Sequence, residues 1–135
     1  MIGRQQGFSL VEALVALVIL SLGVISVAAM QFKAIQSANN GYQQSLVSVA
    51  ALDAQERIWA AVQQAERCQD IPLGSIESEW REDWFSSAEH PLIPNGNAAK
   101  SVMTRSGCQF AVVVHLDTPH EESGISIEYP FLLPL

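Results

Sequence analysis

Between Gly7 and Met30 the chain reads GFSLVEALVALVILSLGVISVAAM, and the 23 residues from Phe8 onward hold no Lys, Arg, Asp, His or Pro and one acid, Glu12. At about 1.5 Å of rise per residue this run makes a helix of about 34 Å, enough to cross a hydrocarbon core of about 30 Å. The run therefore predicts a membrane-spanning helix or a segment inserted like one. Its single charge is the unusual part. An acid costs about 2.5 to 3.5 kcal/mol at the centre of a span and less towards its ends, so a carboxylate five residues into the run calls for a partner charge. A secretory signal peptide has a shorter apolar core, of about 7 to 15 residues, and a small-residue cleavage site, which Ala28-Ala29-Met30-Gln31 matches poorly. A plain signal anchor accounts for the length of the run but not for Glu12.

Gly7-Phe8-Ser9-Leu10-Val11-Glu12 followed by the apolar run resembles the class III signal of type IV prepilins and type II secretion pseudopilins. In those families a Gly, a Phe or Met and a Glu stand at fixed spacing on the edge of an apolar segment, after a short polar leader. MIGRQQ fits that leader, with Arg4 as its one basic side chain. The resemblance spans about the first 30 residues. It implies that residues 1–7 are a leader, that a prepilin peptidase cuts after Gly7, and that the new terminus at Phe8 is N-methylated. It also implies a cytoplasmic N-terminus and a single pass of the inner membrane, with the remaining chain in the periplasm and a place in the pilus itself left open. Glu12 would stand one helical turn from that terminus, because residues four apart share a face. With helices packed at an axial offset, its carboxylate can reach the terminal amine of a neighbouring Phe8, a pair far stronger in a low-dielectric bundle than in water.

A length of 135 residues leaves room for one small domain beside the anchor. From Ala34 onward there are five basic and 13 acidic residues, a net charge of 5 − 13 = −8. That balance excludes direct nucleic-acid binding, which needs a basic stripe, and suits a solvated extracytoplasmic domain. In the oxidising compartment that the leader implies, Cys68 and Cys108 can form a bridge. Closing that loop of about 40 residues would stabilise the domain by about 4 kcal/mol in the chain-entropy account. Two free buried thiols are the alternative; no zinc-binding spacing accompanies them.

Beyond the span (8–30), residues 31–67 lack Pro and contain only Gly41 as a breaker. Phe32, Ile35, Tyr42, Leu46, Val49, Leu52, Trp59 and Val62 recur at helical spacing, so one long helix is expected from Phe8 to Arg67, amphipathic in its second half. Asn39-Asn40-Gly41 is its weak point, and Gly23 with Ser21 and Ser26 a second soft site. Asp53, Glu56, Arg57, Glu66 and Arg67 read as a solvated face, and Trp59 as an anchor for a sheet. Residues 68–135 read as a small α+β region. Asp70-Ile71-Pro72-Leu73-Gly74 stops the helix, and Trp80 and Trp84 suit a short helical turn within Ser75 to Ala88. His90-Pro91 and Pro94-Asn95-Gly96-Asn97 mark turns. Gln109 to Asp117 and Ile125 to Tyr129 are β-rich runs that predict an antiparallel hairpin across an acidic loop at Thr118 to Gly124, with a candidate third strand near Ala99 to Arg105. So small a sheet needs to pack on the amphipathic half of the helix.

No nucleophile with a base, no phosphate-binding glycine loop and no cofactor motif is visible, so an enzyme is not expected. His90, His115 and His120 lack the close spacing of a metal-binding helix. The expected fold class is α+β of type IV pilin-like form. Length and layout are most similar to the PilV family of type IV pilus modification proteins, on the opening FSLVEALVALVILSLGVISVAAMQ, the Gln-rich continuation and a two-cysteine domain ending in a hairpin. That resemblance implies a minor pilin active in initiating pilus assembly, with other minor pilins, the major pilin and the inner-membrane assembly platform as partners. A minor pseudopilin of type II secretion and a membrane-anchored periplasmic binding module are the alternatives.

Overall fold

A computed structural model describes residues 9–86, 91–118 and 121–134, without the side chains of 121–123. The elements are helix α1 (Leu10–Val62), a 3-10 turn (Cys68–Asp70), helix α2 (Leu73–Phe85) and strands β1 (Val102–Ser106), β2 (Gln109–Thr118) and β3 (Glu121–Leu132). The strands form an antiparallel sheet in the order β1-β2-β3. A long N-terminal apolar helix, a short second helix and a small antiparallel sheet make an α+β arrangement of pilin-like form.

Helix α1 keeps helical hydrogen bonding through Asn39-Asn40-Gly41. Two compact units divide there, at residues 1–41 and 42–135. In the first unit every described residue is exposed. The second unit holds the core, which begins at Val47.

The face of α1 that enters this core is Val47, Ala50, Ala51, Ala54 and Ile58, at offsets of 3, 4, 7 and 11 from the first residue, a single helical stripe. It is not the stripe of large apolar residues that periodicity picks out. Tyr42, Val49, Leu52 and Trp59 remain 41% to 61% exposed and lie on the opposite side of the helix, so the expectation that Trp59 anchors the sheet is corrected. Three alanines let other side chains come close to the helix backbone. Trp80 takes the space, with no exposed surface and its Nε1–H donating to the Ala50 carbonyl at 2.9 Å.

Helix α1 stops at Val62 and not at Arg67. Gln64 N–H and Ala65 N–H bond back three residues, to Ala61 and Val62, a tightening that ends a helix. The chain then turns so that Cys68, 3% exposed, meets Cys108 in a disulfide with its Cα atoms 5.2 Å apart. Helix α2 is longer than a turn, at 13 residues. It is tied to α1 by Trp84 Nε1–H, which donates to Asp53 Oδ2 at 2.8 Å, and by Arg57, which bridges Asp53 at 2.9 Å and Asp83 at 2.7 Å. Asp53 and Arg57 thus join two helices and are not part of a merely solvated face.

The expected hairpin forms with longer strands. After a register shift between Leu116 and Thr118, Thr118 pairs with Glu121, so most of the acidic stretch expected as loop belongs to β3. Strand β2 is central, and its run Phe110 to Leu116 is buried except for the half-buried Val113, as a strand covered on both faces should be. At the tight β1–β2 turn Gly107 adopts φ 63°, a left-handed conformation that costs glycine nothing.

Candidate functional site

Over its described residues the first unit is helical from Leu10, and every one of those residues is exposed. Leu10, Val11, Leu14, Val15, Leu17, Val18 and their successors to Val27 are 53% to 77% exposed, and the apolar window is 0% buried. A core helix of a water-soluble protein can be as long and as apolar but hides its apolar surface; the described apolar residues from Leu10 to Val27 leave theirs exposed. The hydroxyls of Ser21 and Ser26, deep in the run, are internally satisfied. Ser21 Oγ donates to the Val18 carbonyl and Ser26 Oγ to the Leu22 carbonyl, each at 2.8 Å, which is what a hydroxyl facing lipid requires. At Gly23 an added Cβ would meet nothing within 4 Å, so the glycine leaves a bare strip of backbone and does not relieve a contact in the chain.

Glu12 lies in the first turn of α1. Its N–H donates to the Ser9 carbonyl at 2.9 Å, and Ala13 N–H donates to the same oxygen at 3.2 Å. The free amides of a helix start carry partial positive charge, worth about 0.3 to 1 kcal/mol to an acid there. This offsets only part of the cost of a carboxylate in lipid. No described residue forms an ion pair with Glu12. Gly7 and Phe8 lie outside the described residues, so the Gly7, Phe8 and Glu12 constellation is drawn from the sequence alone.

The second unit brings together a set that sequence reading missed. His115 is 5% exposed; its Nδ1 is 2.8 Å from Ser126 Oγ and its Nε2 3.4 Å from Lys100 Nζ. Asp117 accepts from Asn97 Nδ2 at 2.9 Å, and Asn97 N–H donates to the His115 carbonyl at 2.9 Å. These bonds clamp the segment 95–101 across β2. The turn signal at Asn95-Gly96 was visible, but nothing local says that it docks on β2. His90 and His120 lie outside the described residues. Among the described residues no three metal-ligating side chains converge.

Over residues 2–28 the chain matches the prokaryotic N-terminal methylation motif. No curated protein and no solved structure matches it. The motif implies processing by prepilin peptidase and assembly with other pilins. Together with the apolar helix it fits membrane anchoring and supports the type IV pilin superfamily, as a pilin or pseudopilin-type subunit.

Proposed function

We propose that the protein is a minor pilin-like structural subunit of the type IV pilus, of PilV type, that takes part in initiating pilus assembly. The observation that carries this reading is the exposed apolar helix with one carboxylate in its first turn, on a segment that matches the methylation motif. Cleavage after Gly7 leaves Phe8 as the methylated terminus. Glu12 then serves as the assembly charge, pairing with the terminal amine of an adjacent subunit and so removing the penalty that lipid imposes on it. The folded unit sits in the periplasm and meets other minor pilins and the major pilin, while the helix engages the inner-membrane platform.

Mass spectrometry of the mature protein is expected to find N-methyl-Phe8; an intact Met1 overturns the reading in favour of a plain anchor. Replacing Glu12 by Ala is expected to leave membrane insertion intact and abolish incorporation into filaments. Deletion of the protein is expected to remove surface filaments and twitching, whereas loss of exoprotein release with filaments intact would assign it to a secretion system instead.

A further inference from the structure

The two edges of the sheet are finished differently. On the β1 side, Met103 N–H donates to Glu77 Oε2 at 2.6 Å. Glu77 is held by Arg81 Nη2 at 2.6 Å, and Arg81 Nε–H donates to the Ser101 carbonyl at 2.7 Å. Helix α2 therefore closes that edge, one of the ways a protein protects an unpaired strand.

The register then decides which way β3 points its backbone. Because Met103 N–H faces away from β2, its partner Val112 turns its own N–H and C=O towards β3. Val112 and Tyr129 are therefore a hydrogen-bonded pair, and the flanking pairs Ala111 with Pro130 and Val113 with Glu128 are not. The position of Pro130 agrees independently, since proline is tolerated in a strand where its missing N–H faces outwards. Ser126 and Glu128 thus direct both N–H and C=O away from β2, and Pro130 its C=O. Among the described residues no group bonds to this outer edge.

Beside the edge, Leu52 and Gln55 of α1 together with Glu128, Tyr129, Pro130 and Phe131 line a groove of about 300 Å³. It is apolar at Leu52, which is 58% exposed. The charge pattern selects the occupant. Strand β3 carries Glu121, Glu122 and Glu128, and no Lys, Arg or His occurs from 121 to 134. A second copy added antiparallel would set carboxylates against carboxylates, which is destabilising across a strand pair. A strand bearing Lys or Arg would be attracted instead.

We propose that the free edge of β3 is a strand-addition site for an extended segment of another protein. The segment pairs with the backbone of Ser126, Glu128 and Pro130, places an aliphatic side chain in the groove at Leu52, and sets a Lys or Arg against Glu128. The site serves whatever assembly the N-terminal helix enters, so its loss and the loss of the filament role are separable.

The test is amide hydrogen exchange by NMR on the full chain in detergent micelles. In the free protein, Ser126 and Glu128 should exchange fast while Ile127 and Tyr129 are protected. A blocked octapeptide of alternating Lys and Val should slow Ser126 and Glu128 by about tenfold at nine-tenths occupancy, and an octapeptide of alternating Glu and Val should not. Glu128→Lys should weaken binding of the basic peptide by about two- to fivefold. Glu128→Pro should abolish its protection of Ser126 while Tyr129 stays protected, which reports an intact hairpin. Protection of the outer amides without peptide, whether constant or rising with protein concentration, would overturn the proposal, as would equal effects of both peptides or no effect of either.

Discussion

Trp80 and Trp59 are the same residue type in the same unit with opposite fates. Trp80 is sealed, packs edge-on against Phe85 at 5.4 Å and 73°, and spends its N–H on the Ala50 carbonyl; Trp59 is 41% exposed. Trp80→Ala should therefore cost about 3 to 5 kcal/mol in urea unfolding of the full chain in micelles, and Trp59→Ala within about 0.5 kcal/mol. Equal losses would mean that the stripe of large residues faces the core after all. Periodicity established that residues 42–62 have an apolar side without saying which side meets the sheet. The small side chain at Ala50 leaves its carbonyl open to an indole arriving from α2, 30 residues away in the chain. Glycine is required at one further point. Gly124 has φ 62°, and an added Cβ would lie 2.6 Å from His115 Nε2, so Gly124→Ala forces both backbone strain and displacement of the clamp on segment 95–101.

Among the elements, the disulfide and the Glu77 bridge perform the two closures that hydrophobic packing leaves open. The Cys68–Cys108 link joins the turn after α1 to the β1–β2 turn across 40 residues. The double variant Cys68→Ser with Cys108→Ser should lower stability by about 4 kcal/mol in the entropy account, and reduction with a thiol should lower the urea midpoint of the parent protein to that of the variant. Glu77→Ala removes the acceptor of Met103 N–H and the partner of Arg81 together. A loss of about 1 to 3 kcal/mol is expected, with faster amide exchange at Met103 before any change in β3. In α1 the soft point Asn39-Asn40-Gly41 is helical, and a Cβ at Gly41 would meet nothing within 4 Å. Gly41→Ala should accordingly stabilise the helix locally by about 1 kcal/mol, read as slower exchange of the amides around it.

At the scale of the whole molecule, one chain solves two solvation problems. Its first unit displays apolar surface and internally bonded hydroxyls, the chemistry of a segment solvated by lipid. The second unit carries the acidic balance, and among the described residues all of the buried ones lie between Val47 and Leu133. A fragment of residues 42–135 should therefore fold and stay in the aqueous phase on detergent partition, with a urea midpoint close to that of the full chain, whereas the full chain should enter the detergent phase. An aggregated or unfolded fragment would show that the first unit contributes to the core.

The apolar run, its length and its lone acid were legible from the chain alone, because crossing a bilayer is a property of one contiguous segment and its solvent. The β2 run and the candidacy of Cys68 and Cys108 were legible for similar local reasons, as was the turn at Pro94-Asn95, whereas the acidic stretch read as a loop at Thr118 to Gly124 belongs mostly to β3. The phase of α1, the choice of Trp80 over Trp59, the clamp on His115 and the unequal finish of the two sheet edges were decided only in the tertiary structure. Each depends on which side chain arrives from a distant part of the chain to occupy a face, a carbonyl or an amide, and spacing along one element carries no record of that arrival.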